Sequence, residues 1–256
     1  MLSTALFAGC NSDNNNGTTT GNQTPNTPPA AQTSNFYTTT FTPVNPNQTS
    51  TGQQAGTALV SVVGDTITVN ILATGTDANI THFAYIKQGS SCPPSSDPSD
   101  NDGVIDAVEA QAFTGPILVL LGGDISSLSA SQNNGGLPFA DGSGNINYTG
   151  TGSFSSLNND LVTRAAPAAD SGYANLQAGQ TIDLSTAVIE VDSIADTSSL
   201  PATVQTLAGL TPQQSLPILC GTLQFAGNVA PSPSPSPAVD AGQQNQDGQD
   251  SSQQGQ

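Results

Sequence analysis

One stretch of alternating residues restricts this chain more than any other. In residues 66–73, Ile67, Val69, Ile71 and Ala73 fall on one parity and Thr66, Thr68 and Asn70 on the other. A period of two sends successive side chains to opposite faces, so the segment is a half-buried antiparallel strand. A Thr/Val/Ser run at 57–63 precedes it, and Gly64-Asp65 forms a two-residue turn between them, so the pair is a hairpin. A strand that is dry on one face needs a second layer to cover it.

Further strands are expected at 36–42, 80–87, 117–121, 145–154, 181–191 and 216–225, separated by Gly, Asn, Asp and Ser. Ile146, Tyr148 and Phe154 share parity in the 145–154 segment. Short helices are expected at 106–113 and near 201–208. No βαβ alternation is present. The expected fold class is all-β: a Greek-key β-sandwich of about eight antiparallel strands, a barrel being the other closure such strands allow.

Aromatic and branched apolar residues concentrate in 35–226, which reads as the folded domain. Residues 1–34 read as a signal remnant and a disordered Asn/Thr/Pro/Gln tether. Residues 227–256 read as a disordered tail, opening with alternating Pro and Ser that favours polyproline II. Leu6-Phe7-Ala8-Gly9-Cys10 resembles a bacterial lipobox, in which the Cys becomes lipidated. Phe7 stands where Leu is usual and no basic n-region precedes it, so the true start is expected upstream of Met1; a chance Ala-Gly-Cys is the alternative. With Cys10 lipidated, Cys92 and Cys220 remain as a pair. In an oxidising compartment they would form a disulfide, adding up to about 4–5 kcal/mol by chain entropy; two buried free thiols are the alternative.

Charge excludes some partners. Only Lys87 and Arg164 are basic and the formal net charge is −17. Phosphate neutralisation needs clustered Lys and Arg, so neither nucleic acid nor an anionic membrane face is expected. Membrane attachment is expected through the Cys10 lipid alone, because no apolar run reaches the roughly 18 residues of a membrane-spanning helix.

Five of the nineteen acidic residues, Asp97, Asp100, Asp102, Asp106 and Glu109, lie within thirteen positions. Residues 100–109 resemble positions 3 to 12 of an EF-hand loop. Asp100 and Asp102 would be side-chain ligands, Gly103 the bend, the Val104 carbonyl a ligand and Ile105 a core contact. Asp106 would bind through water and Glu109 would close the site bidentately around calcium. Pro98 occupies the first ligand position, with Asp97 one residue early. A solvated acidic loop is the alternative. His82 is the single histidine; one imidazole cannot build a His-rich zinc or copper site, and no nucleophile elbow accompanies it. No phosphate-binding Gly loop, Cys-x-x-Cys pair or basic patch is present.

The order of landmarks is similar to bacterial chordin-type (CHRD) domain proteins, themselves similar in organisation to copper–zinc superoxide dismutases. The landmarks are the hairpin ending at 66–75, the strand with His82, Ser91-Cys92-Pro93, the acidic segment to Glu109 and Gly115-Pro116-Ile117-Leu118. Gly144-Asn145-Ile146-Asn147-Tyr148, a late strand at 187–191 and Leu216-Pro217-Ile218-Leu219-Cys220-Gly221 follow. The resemblance covers roughly 50–225. It implies a Greek-key sandwich and a disulfide from a loop Cys to the last strand. Relatives often carry His-x-His on the middle strand; here it reads His82-Phe83-Ala84, and 188–192 has no His, with Asp192 as a stand-in ligand beside His82 at most. The expected function is therefore a non-enzymatic exported lipoprotein, lipid-anchored at the cell envelope or secreted. It would bind or scaffold an unknown protein or envelope partner and carry a structural calcium site. A degenerate superoxide dismutase-like copper/zinc protein is the alternative.

Overall fold

The computed structural model describes residues 33–50, 53–94, 100–126 and 136–229. Cys10, Asp97 and nearly all of both expected tails lie outside them. Ten strands form two five-stranded antiparallel sheets. The first contains β1 (Ser34–Thr40), β3 (Ala55–Val63), β4 (Thr66–Thr74), β7 (Ile146–Ser153) and β10 (Gln224–Gly227), in the order β10-β1-β3-β4-β7. The second contains β2 (Thr42–Pro43), β5 (Phe83–Lys87), β6 (Ile117–Leu120), β8 (Val188–Asp192) and β9 (Pro217–Thr222), in the order β2-β9-β8-β5-β6. The fold is an all-β sandwich, as the alternating pattern required.

The hairpin forms as expected. Val63 pairs with Thr66 around Gly64-Asp65, and Gly64 supplies a φ of +59° at the first turn position. Val60 and Val62 of β3 and Ile67, Val69 and Ile71 of β4 turn inward, and Ala84, Ile86, Ile189 and Val191 meet them from the opposite sheet. All are buried, at roughly 1.5–3 kcal/mol for each large apolar side chain removed from water.

Two expected strands divide. Phe41 interrupts 36–42, and the chain passes from β1 in the first sheet to β2 in the second. Leu223 interrupts 216–225, passing the chain from β9 back to β10. Phe41 and Leu223 are both buried, so each crossing is pinned by an apolar side chain in the core. Gly221 lets the layers close there: a Cβ on it would stand 2.5 Å from Thr39 Oγ1 and 3.1 Å from Phe41.

Three other expectations are corrected. The helix near 201–208 is a series of turns, because its amides find other acceptors: the Gln205 N–H donates to Asp106 and the Ala208 N–H to the Asp170 carbonyl. Residues 181–187 do not extend β8; Asp183 accepts from Ser185 N–H and Oγ and closes a turn there. Phe154 does not continue β7 but opens α2 (Phe154–Thr163), where Leu157 and Leu161 pack into the core. Ser153 caps that helix through Ser156 N–H. Asp65, at the hairpin turn, accepts from Ser153 Oγ, Ser155 N–H and Ser155 Oγ, tying the turn to this junction.

The two outer faces differ. That of the second sheet is covered by α1 (Ala107–Thr114) and by residues around Leu207, which form two satellite apolar clusters upon it. On the first sheet, Thr66, Thr68, Asn70 and Leu72 of β4 alternate with the buried set and none of them is buried.

Candidate functional site

The acidic loop leads into α1, and its carboxylates turn back onto the loop's own backbone. Asp106 caps the helix, accepting from Val108 and Glu109 N–H at 2.9 Å each, while its other oxygen accepts from Gln205 N–H at 2.7 Å. Glu109 Oε2 returns to the Asp106 N–H at 3.0 Å, completing a capping box, and its Oε1 accepts from Asp100 N–H at 3.2 Å. Asp102 accepts from Val104 N–H at 2.8 Å and from Thr203 Oγ1 at 2.5 Å, and Asp100 from Asp102 N–H at 3.0 Å. Gly103 makes the bend with a φ of +87°. Ile105 is buried, and Asn45 bonds both its N–H and its carbonyl. The bend at Gly103 and the core contact of Ile105 sit where the sequence puts them, while Glu109, read as a bidentate calcium ligand, closes a capping box. Among the described residues, no three His, Cys, Asp or Glu side chains gather in a group that could hold a metal. Asp102 and Glu109 already accept from N–H and O–H groups, and a calcium ion would share these carboxylates with those donors.

Cys92 and Cys220 form a disulfide, with Cα atoms 5.7 Å apart. Cys220 is fully buried among Val44, Ile105, Ala110 and Val188, so the bridge ties the segment before the acidic loop to β9 beside α1.

His82 is also fully buried. Its Nδ1 lies 3.0 Å from the Asp192 carbonyl and its Nε2 3.3 Å from the Asp77 carbonyl. Burial holds its pKa below the ordinary imidazole value, against the opposing pull of the two carbonyls and of the Asp77 charge. The pairing of His82 with Asp192 therefore runs through a backbone oxygen and not through the carboxylate. The Asp77 carboxylate accepts from Ser50 N–H at 2.8 Å and Ala195 N–H at 2.7 Å, which outweigh burial and hold its pKa low.

A second polar group contains Asp192, but its Lys87–Glu190 pair was not singled out from the sequence. Lys87 on β5 and Glu190 on β8 form an ion pair beneath α1, and Lys87 Nζ also donates to Thr114 Oγ1 at 3.1 Å. Asp192, two residues beyond Glu190 on the same strand face, is 1% exposed. Burial drives its carboxyl well above the usual range; the Glu190 charge adds to this and Lys87 opposes it. The Tyr85 hydroxyl, Glu190 Oε2 and Asp192 Oδ1 are buried without a hydrogen-bond partner. The signal available in sequence was Glu190 and Asp192 sharing parity in an apolar strand, with one of only two basic residues ending β5. The other, Arg164, donates to Asn175 Oδ1 at 2.6 Å and to the Ala174 carbonyl, and lies 5.7 Å from the Tyr173 ring centroid.

No family model matches the sequence, and no curated protein matches it.

Proposed function

We propose that this chain is a non-enzymatic, exported envelope protein of chordin-type organisation, whose β-sandwich binds or scaffolds a partner. The observation that supports this reading is the Cys92–Cys220 disulfide, which closes 128 residues of sequence separation and is of the kind that persists in oxidising compartments. His82, Asp192 and Glu190 support a non-catalytic role, since each is at most 1% exposed and held inside the fold. The lipid anchor at Cys10 and a calcium ion at the loop carrying Asp100, Asp102, Val104, Asp106 and Glu109 belong to the same proposal. The calcium part rests on the density of oxygen donors at the start of α1.

Fractionation of producing cells, with alkylation of free thiols before lysis, tests the reading. The full chain is expected in the envelope or medium with Cys92 and Cys220 protected from alkylation. Recovery from the cytosol with both thiols alkylated would overturn it.

A further inference from the structure

Four polar side chains share the covered face of the second sheet. Glu190 stands directly opposite Tyr85, with Lys87 and Asp192 one step away on their strands, so all four project to the same side. Each is 1% exposed. Lys87 Nζ donates to Glu190 Oε1 and to Thr114 Oγ1, which together aim it at the Glu190 carboxyl. The Asp192 carboxyl lies against that of Glu190, whose charge helps burial to keep its proton on. Glu190 Oε2, Asp192 Oδ1 and the Tyr85 hydroxyl find no hydrogen-bond partner. An ammonium and a carboxylate taken out of water, with one carboxylate oxygen left unpartnered, are costly to hold as ions.

We propose that Lys87 and Glu190 condense to an intramolecular amide that joins β5 to β8. The proton in their hydrogen bond passes from Nζ to Oε1, leaving an amine and a carboxylic acid. The Nζ lone pair then bonds to Glu190 Cδ, and the Cδ–Oε2 π pair moves onto Oε2, where the free Tyr85 O–H can donate. As that double bond re-forms, the Cδ–Oε1 bond breaks. Oε1 leaves as water with a second proton from Asp192, and Nζ returns one of its own to Asp192. Nothing is oxidised or reduced, and one water is lost. Two features of the fold favour a step that is negligible between free ions in water. The reacting groups are held in contact, which substitutes for a high concentration of each. Burial removes the hydration that keeps them ionised and limits the water that would reverse the step. The folded chain before condensation holds the ions as the structure shows them, and the salt bridge governs its stability. The amide would close 103 residues of sequence separation, interleaved with the disulfide, and reductant would not open it.

Lys87 and Arg164 are the only two trypsin sites in the 256 residues, which makes the test direct. The full chain would be held folded at neutral pH for a week. At intervals it would be denatured, reduced, alkylated, digested with trypsin and weighed by mass spectrometry. A free Lys87 releases residues 88–164 as a separate peptide. The amide blocks that cut and leaves the chain up to Arg164 joined to the chain beyond it, lighter by one water than the two pieces together. The joined product is expected to replace the 88–164 peptide at a rate independent of protein concentration. Lys87→Arg keeps the cut without the amine and should release 88–164 throughout. Asp192→Asn should slow the joining at least about tenfold. Full release of 88–164 from the parent after the week would overturn the proposal. So would a blocked cut at Lys87 with the two halves separate, which means another acyl group on the amine. Joining of Asp192→Asn at the parent's rate would overturn the proton relay. None of these outcomes depends on where the chain resides.

Discussion

Lys87 and Glu190 form a salt bridge at 1% side-chain exposure each, on neighbouring strands one diagonal step apart, since Tyr85 stands directly opposite Glu190. Thr114 at the end of α1 accepts a hydrogen bond from the same ammonium, so the pair joins the sheet to the helix that covers it. Lys87→Met leaves Glu190 buried without its cation. Removing one partner of a buried pair costs about 3–5 kcal/mol. The double variant Lys87→Met/Glu190→Leu should recover much of that loss, because no unpaired charge remains. Denaturant unfolding of the three proteins checks both expectations. A single variant as stable as the parent would mean that water reaches the pair.

Asp192 sets a pH slope. Its folded pKa is raised by burial and by Glu190, so between the ordinary carboxylate value and the raised one the folded state binds the proton and the unfolded state does not. At this site the native state holds more protons, so the contribution of Asp192 to stability falls as pH rises. The groups that face it and titrate are Glu190, Lys87, Tyr85 and Tyr173. Asp192→Asn keeps the shape and removes the proton equilibrium. The variant should be within about 1 kcal/mol of the parent near pH 4 and should gain on it steadily toward neutrality. Parallel curves of melting temperature against pH would show that Asp192 ionises as freely in the fold as outside it.

Part of this architecture was legible because β3, β4 and β7 bury one face, and burial of one face forces alternation, whereas β5, β8 and β9 are buried on both faces and show none. The hairpin at Gly64-Asp65 was readable for that local reason, and the short helix at 106–113 was expected, although Asp106 was read as a calcium ligand and not as its cap. What was not legible depends on the other sheet. Nothing local in 36–42 says that Phe41 ends one strand and starts another; only the opposite layer makes that crossing. The helix at Ser153 was missed because Phe154 continues the parity of Ile146 and Tyr148, although Leu157 and Leu161 already show helical spacing. The acidic loop invited a reading for a cation because its donors are oxygens. The structure shows the other use of the same oxygens, as acceptors for backbone N–H groups.

The disulfide should matter more than one bridge does in most domains of this size, because it closes a long loop and one of its sulfurs is in the core. For a separation of 128 residues the chain-entropy contribution is about 4–5 kcal/mol. Cys92→Ser/Cys220→Ala should lose a large part of that in denaturant unfolding. Cys220→Ser should lose more than Cys220→Ala in the Cys92→Ser background, since it places a hydroxyl between Ile105 and Val188. An unchanged midpoint on reduction would show that the unfolded chain is restricted without the bridge.

Glu109 separates the two uses of the acidic loop. Glu109→Ala removes the acceptor for the Asp106 N–H and for the Asp100 N–H, so it should destabilise by about 0.5–2 kcal/mol with a chelator present. Glu109→Gln keeps a carbonyl oxygen and should lose less. Calcium then adds a second comparison. If the proposed ion binds, the parent melts higher with calcium than with chelator, and Glu109→Ala does not share the rise. If calcium shifts neither protein, the calcium part of the proposal is discarded and Glu109 acts through the backbone N–H groups it accepts from. Differential scanning calorimetry on parent and variants, each with calcium and with chelator, gives all the required differences in one series.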